Sequence, residues 1–349
     1  MGRAKNATED PVQYSKVHML AVNHVEAPQQ VSSEDLEGRL APALRRFGVS
    51  PGLLKKLSGI ESRRMFDPEF LPSDGAAMVA EKTIDAAGID RSDIGILVNT
   101  SVCRDGVDSS TASIIHQKLD LSENCVSFDV GNACLGFING MEMVANLIDS
   151  GQTEYGMVVN CENTHFAVLE TIKRLLNPET TWATFRNNFA TLTLGSGAVA
   201  MILARATGAA KEHRFLGGVT LAATEHCKLC TAQVDQMITD TKKLFHHGLE
   251  LGLKTWELAR QAMGWTIEDL DHFVIHQVGK AHTEKFARTL GIDLRKVFRL
   301  YPDHGNIGPA GVPIALSKLV EDNALRSGDR IALMGIGSGI NCTMAELVW

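Results

Sequence analysis

The chain of 349 residues echoes itself at half its length. That restricts it to folds built from two alike halves, because arrays of short units repeat every roughly 20–50 residues instead. The segment "AAGIDRSDIGILVNTS", residues 86–101, lines up without gaps on "AMGWTIEDLDHFVIHQ", residues 262–277. Gly88 falls on Gly264, Asp93 on Asp269 and Val98 on Val274, an offset of 176 (88 to 264). Each copy reads as a helix ending at its glycine, a short loop and a buried strand. A second echo follows in the same order. "GNACLGFINGMEMVANLIDSG" from Gly131 matches "GNIGPAGVPIALSKLVEDNALRSG" from Gly305, an offset of 174 (131 to 305). Both open on Gly-Asn, run into an apolar helix, close on Ser-Gly and lead into strands, "YGMVVN" and "RIALMGIG". Two homologous α/β halves related by a pseudo-twofold are expected, spanning 15–190 and 191–349.

Strands separated by helices favour largely parallel sheets under helical cover. The strand "IGILVN" is apolar enough to be buried on both faces. In such folds the loops that leave strand ends and open into helices gather at one edge. Cys134 sits on such a loop in the first half and Asn306 on the equivalent loop in the second, so a pseudo-twofold would bring them together. Between the echoes lies "HFAVLETIKRLLNPETTWATFRNNFATL", residues 165–192. It reads either as an excursion roofing an apolar cavity or as a surface helical hairpin.

Hydrophobic residues make up 44% and charged residues 21%, as in a globular protein with a sizeable core. A net charge of −7 leaves no basic footprint, which argues against a nucleic-acid partner. No apolar run reaches the ~18 residues a membrane span needs. The start, "MGRAKNATEDPVQYSK", has no apolar core of a signal peptide. Residues 1–14 therefore read as a flexible polar tail, and the chain as cytoplasmic. Seven cysteines without a framework suit reduced thiols. Cys227 and Cys230 form one Cys-x-x-Cys pair, but no second pair completes a closed zinc site, so they read as packing residues.

Four positions carry candidate chemistry. Cys134 has Gly131 and Ala133 before it, Gly136 after it and an apolar helix beyond. It reads as a packing thiol or as a nucleophile at a helix N-terminus, where unpaired N–H groups and the dipole would lower its pKa. His276 directly follows an apolar strand, as a core histidine or as a site residue. Asn306, in "DHGNIGPAG", is a turn residue or an amide donor. "GIGSGIN", residues 335–341, lacks the spacing of a dinucleotide fingerprint. Its Gly337, Ser338 and Gly339 form a tight turn or a backbone brought close to a ligand. Cysteine, histidine and asparagine together suit thioester chemistry: the thiolate takes an acyl group while the imidazole and the amide stabilise an enolate or oxyanion.

These motifs resemble the thiolase superfamily and, within it, the ketoacyl synthase III group. The likeness runs from about residue 15 to Trp349. "LVNTSV", "SSTASI", "DVGNACLGFINGM", "VIHQV", "HGNIGPAGVPIAL" and "GDRIALMGIGSGINCTMAELVW" are most similar to the OleA type, the long-chain acyl-CoA condensing enzymes of bacterial olefin biosynthesis. Asp303 stands where that type carries Glu before "HGNIGPA". The resemblance implies a five-layered αβαβα thiolase fold and a homodimer. It implies that Cys134 is acylated by a fatty acyl-CoA and that His276 and Asn306 form one oxyanion site. The backbone N–H groups of Cys134 and of the Gly337–Gly339 turn would form the other. Coenzyme A thioesters are the implied substrates, with no resident cofactor and no metal. Later reductase, lactone-forming and decarboxylating enzymes of olefin synthesis are implied partners.

In OleA-type enzymes a second acyl-CoA loses an α-proton to a glutamate reaching over from the partner subunit. The matching position here is Asp108, in "RDGVDSSTAS". Aspartate is one methylene shorter, and a misplacement on the order of 1 Å can cost ~100-fold in rate. Asp108 can also be read as a cap for the helix that follows. Non-decarboxylative condensation of two acyl-CoAs to a β-keto acid or β-ketoacyl thioester is the leading expectation. Its rivals are a decarboxylating synthase that uses a malonyl thioester, a thioesterase, and a non-catalytic acyl-binding partner subunit.

Overall fold

The computed structural model describes residues 12–206 and 213–349. Both sequence echoes become structural ones. The helices Pro72–Ala87 and Thr241–Met263 stop at Gly88 and Gly264, left-handed at φ 64° and 65°, a conformation that glycine adopts without a Cβ penalty. The strands Ile94–Asn99 and His272–Ile275 follow. The helices Gly136–Asp149 and Gly311–Glu321 are the second pair, and each leads to an eight-residue strand, Tyr155–Glu162 and Arg330–Gly337.

The strands join in the order His272–Ile275, Arg330–Gly337, Asn341–Val348, Arg214–Ala222, Val17–Glu26, Gly197–Arg205, Tyr155–Glu162, Ile94–Asn99 and Val126–Asp129. Outward from the middle, each half shows the same sequence of pairings. Val17–Glu26, Gly197–Arg205 and Tyr155–Glu162 run antiparallel, then Ile94–Asn99 pairs in parallel. Arg214–Ala222, Asn341–Val348 and Arg330–Gly337 repeat this, with His272–Ile275 parallel at the end. The first half adds Val126–Asp129, parallel to Ile94–Asn99; the second keeps only a single bridge, Phe273 to Val297. Between the halves, His18 of Val17–Glu26 pairs with Arg214 of Arg214–Ala222 and carries the ladder across.

The sheet is therefore mixed rather than largely parallel. Arg330–Gly337 and Asn341–Val348 are joined by a hairpin through Ser338–Ile340, and so short a connection can link only antiparallel neighbours. The topology also moves the join between halves. Gly197–Arg205 lies inside the first half's sheet, so that half continues past 190 to Arg205. At the N-terminus, Val12–Gln13 pairs with Gly217–Gly218 and Tyr14 is buried, so residues 12–14 belong to the fold and not to a tail; residues 1–11 lie outside the described part.

Burial follows the layers. On Gly197–Arg205, Ala198, Ala200 and Ile202 face Val79, Ile84 and Ile115 of the outer helices Pro72–Ala87 and Thr111–Lys118. The alternate residues Val199, Met201 and Leu203 face a central layer with Phe137, Met141, Ile314 and Leu316. Beyond the second half's strands, Trp256, Ala259 and Phe286 cover Phe273, Ile275 and Met344. Two sheet layers thus alternate with three helical ones, which explains why the central strands are apolar on both faces. Among the described residues no helix is long and apolar enough to cross a membrane.

Candidate active site

The first half brings Cys134 to the edge of the sheet on a tight turn. Ala133 takes a left-handed φ of 45°, a conformation that costs an L-residue of order 1–3 kcal/mol. Leu135 and Gly136 N–H then donate to Asn132 and Ala133 carbonyls at 3.0 and 3.1 Å, and the helix Gly136–Asp149 begins. The turn is held from across the molecule. Asn341 Nδ2 donates to Asn132 Oδ1 at 3.1 Å, Asn132 Nδ2 to Asn139 Oδ1 at 2.7 Å, and Asn139 Nδ2 to Glu142 Oε2 at 3.0 Å. This amide relay ties the Gly337–Gly339 turn to the cysteine turn. The approach is so close that a Cβ on Gly337 would lie 3.1 Å from the Asn132 carbonyl oxygen and 3.3 Å from the Cys134 nitrogen. Any side chain there would push the two backbones apart by a few tenths of an ångström.

The second half supplies the other groups. His276 leaves the strand His272–Ile275 with its N–H on the Met334 carbonyl at 2.8 Å. Its ring is buried, and its Nδ1 has no hydrogen-bond partner among the described residues. Burial, with His282 nearby, pushes the imidazole down to about 3, so it is neutral at physiological pH. Asn306 is clamped through its backbone: its N–H donates to Thr193 and its carbonyl accepts from Gly195, both at 2.9 Å. Its Oδ1 accepts from Gly308 N–H at 3.0 Å, which leaves the amide NH2 as the free donor.

Cys134, His276, Asn306, Gly337 and Ser338 line one cavity of about 1530 Å³, well above the ~300–1,000 Å³ of ordinary small-molecule pockets. Phe166, Trp182, Phe185 and Phe189 of the 165–192 excursion line it as well. Gly339 belongs to the same turn at φ 141° but is not among the lining residues.

Two expectations change. The thiol of Cys134 is not lowered: burial pushes it up to about 12, and Cys230 and Glu162 add to the rise. The field at the helix end does not outweigh desolvation and a neighbouring acid. Asp108 does not reach the cavity of its own chain; it is exposed, although Asp105, Gly106 and Val107 line the cavity beside it. Nor does it cap the helix Thr111–Lys118. Ser110 does so, accepting from Ser113 N–H at 3.2 Å, while Asp129 accepts from Thr111 and Ala112 N–H.

Sequence reasoning missed Glu162, the last residue of Tyr155–Glu162. It is buried on the cavity wall and accepts from Val102 N–H at 2.8 Å, Cys103 N–H at 3.0 Å and Asn160 Nδ2 at 3.2 Å. Burial outweighs these bonds and pushes its carboxyl up to about 7. An acid amid the polar run "NCENTH" carries no periodic signal that marks it. Of the cysteine pair, Cys227 is exposed, and Cys230 lines the cavity with its Sγ 3.4 Å from Thr239 Oγ1. Among the described residues, donors close enough to share a metal ion lie elsewhere, at His246, His247 and Glu250 on the helix Thr241–Met263.

Known proteins were then compared with the chain. Residues 128–222 match the profile of 3-oxoacyl-[acyl-carrier-protein] synthase III, and residues 260–349 match that of its C-terminal part. The acyl-CoA:acyl-CoA alkyltransferase of Xanthomonas campestris is 45% identical over 336 residues, 96% of this chain and 99% of the relative. That of Shewanella oneidensis is 36% identical over 97% of this chain and 100% of the relative. Xanthomonas campestris OleA bound to cerulenin superposes with a TM-score of 0.95 at 45% identity, covering 97% of this chain and 98% of the other. A cysteine-to-serine variant of OleA with bound lauric acid and lauroyl-CoA superposes at 0.94 with 45% identity, covering 96% and 100%. The chain therefore belongs to the OleA branch of the ketoacyl synthase III group, within the thiolase superfamily.

Proposed function

We propose that this protein condenses two long-chain fatty acyl-CoAs head to head, without decarboxylation. The observation that carries this reading is the convergence of Cys134, His276 and Asn306, from both halves, on one oversized and largely apolar cavity. The names of the relatives and the lauroyl-CoA bound to OleA support it. So does a pattern of spacing. Solved OleA variants are substituted at a glutamate, a cysteine and a histidine, the cysteine 26 residues after the glutamate and the histidine 142 after the cysteine. Asp108, Cys134 and His276 keep both intervals (108 to 134, 134 to 276). One of those OleA variants carries aspartate at the glutamate.

In the first step the Cys134 sulfur attacks the thioester carbonyl of one acyl-CoA. The carbon–sulfur bond to coenzyme A breaks, and coenzyme A leaves with the thiol proton. The second acyl-CoA then loses an α-proton to the Asp108 carboxylate. Its enolate carbon attacks the acyl-Cys134 carbonyl, a carbon–carbon bond forms, and the bond to Cys134 breaks to give a β-ketoacyl thioester. With its thiol pushed up to about 12, Cys134 has to give up its proton as it attacks and take one back as the condensed product leaves. The neutral His276 and the Asn306 amide stabilise negative charge on oxygen; the Cys134 and Ser338 N–H groups do so at the other carbonyl. The exposed Asp108 fits a homodimer in which it serves the partner's site. With all seven cysteines free, a reducing, cytoplasmic setting suits the chain. The β-keto product calls for a later reductive step.

Incubation with myristoyl-CoA alone, then with malonyl-CoA added, tests the reading by mass spectrometry of the products. A β-keto acid or its ketone from myristoyl-CoA alone is expected. Product only with malonyl-CoA, or free fatty acid alone, would replace it with the decarboxylating or the hydrolytic reading. Asp108→Asn is expected to abolish condensation while leaving Cys134 acylation intact.

A further inference from the structure

Residues 102–110 form the loop that carries Asp108, and the structure pins that loop at a few points only. At its root, Val102 and Cys103 N–H each donate to a different oxygen of Glu162, at 2.8 and 3.0 Å. In its middle, Asp105 Oδ1 accepts from Ser73 N–H at 2.9 Å and Asp105 N–H donates to Thr111 Oγ1 at 3.4 Å. At its far end, Ser110 and Asp129 hold the start of the helix Thr111–Lys118. Gly106, Val107, Asp108 and Ser109 between them are exposed, and among the described residues Asp108 makes no hydrogen bond or ion pair. The reach of Asp108 is thus set by how the loop's ends are fixed. The root is fixed by a buried carboxylate that faces the cavity, and the Cys103 side chain is bonded to that carboxylate and to the Asn163 backbone N–H as well. Asn160, two residues earlier on the same strand, braces that carboxylate, its Nδ2 lying 3.2 Å from both Glu162 Oε1 and Thr100 Oγ1.

We propose that Glu162 is a positioning residue: its carboxylate clamps the root of the Asp108 loop and sets where that base stands during condensation. The proposal rests on the reading of Asp108 as the base. Two-point acceptance from consecutive N–H groups requires both oxygens to act as acceptors, which the ionised form does fully. Protonation makes one of them a hydroxyl, a weaker acceptor whose O–H needs an acceptor of its own. The titratable groups around Glu162 are the Cys103 thiol from the loop, Cys161 beside it on its own strand, Cys134 across the cavity and Asp105 farther along the loop. Burial raises all three thiols, so they stay neutral in the range where Glu162, at about 7, exchanges its proton. The clamp is therefore complete above neutrality and loosens below it.

The test compares the full-length protein with Glu162→Gln and Glu162→Asp. Acyl-Cys134 formation from myristoyl-CoA and condensation are measured separately from pH 5.5 to 8.5. Acylation is expected within ~3-fold of wild type in Glu162→Gln, with condensation down as much as ~100-fold, as for a base misplaced on the order of 1 Å. Wild-type condensation is expected to rise with pH through a step near neutrality. Glu162→Gln should lack that step, and Glu162→Asp should restore it in part. Equal losses in acylation and condensation, or a pH step that survives Glu162→Gln, would overturn the proposal. Condensation abolished by Asp108→Asn yet unchanged by Glu162→Gln would overturn it alone, and condensation that survives Asp108→Asn would overturn the base reading instead.

Discussion

Thr100 and His276 occupy the same place in the two halves, each one residue past its parallel strand and 176 residues apart (100 to 276). Thr100 is satisfied: its Oγ1 donates to the Val159 carbonyl at 3.0 Å and accepts from Asn160 Nδ2 at 3.2 Å. His276 is not, since its Nδ1 is buried without a partner among the described residues. The next pair of strands repeats the contrast. Tyr155–Glu162 ends on a carboxylate bonded to the backbone of a loop, whereas Arg330–Gly337 ends on a glycine that lets a backbone approach. The turns Gly131–Gly136 and Gly305–Gly311 differ likewise, one presenting a sulfur and the other an amide. Duplication supplied one scaffold twice, and the halves diverged in what they leave unsatisfied. Unpaired polar atoms at a strand end are expensive, so where they persist around a cavity they point to a ligand.

If His276 and Asn306 act only on developing charge, His276→Ala or Asn306→Ala should lower kcat by ~10²–10³-fold with little change in KM, measured by steady-state kinetics with myristoyl-CoA. An equal rise in KM would mean that they bind ground-state substrate. Gly337→Ala puts a methyl group 3.1–3.3 Å from the Asn132 and Cys134 backbone. A displacement of a few tenths of an ångström should slow acylation by ~10-fold or less, in proportion to the ~100-fold cost of 1 Å. Thr100→Val should leave kcat unchanged and cost ~1–3 kcal/mol of stability, read by urea denaturation, because it strips partners from buried groups. A loss of turnover there would erase the contrast with His276.

The smallest effect concerns pH. His276 and His282 are held neutral by burial, at about 3 and 4. The unfolded chain therefore binds more protons below ~6.5, and stability falls as pH drops through that value toward 4. Glu162 works in the opposite sense, because its raised carboxyl favours the folded state at low pH and loses that contribution as pH rises toward 7. Thermal denaturation of Glu162→Gln should show a steeper gain in stability between pH 5 and 7 than wild type.

The halves, their caps and the strand ends were legible in the sequence because they recur. Gly88 and Gly264 announce two helix ends, and the paired Gly-Asn turns announce where Cys134 and Asn306 stand. What does not recur was hidden. The stretch Gly337–Gly339 reads equally as a tight turn or as a ligand approach, and nothing local chooses between them, so the antiparallel pairings are not legible. The relay from Asn341 to Asn132 joins residues 209 apart in sequence and leaves no local pattern. Glu162 owes its perturbed acidity to tertiary burial, and the depressed thiol expected at Cys134 was overturned by that same burial.

The most direct test is intact-protein mass spectrometry of the Asp108→Asn variant mixed with myristoyl-CoA, followed by peptide mapping. A single myristoyl group on Cys134, formed at the wild-type rate and stable without a second turnover, is the predicted result. No adduct at Cys134, under conditions where the wild type makes β-keto product, would contradict the account.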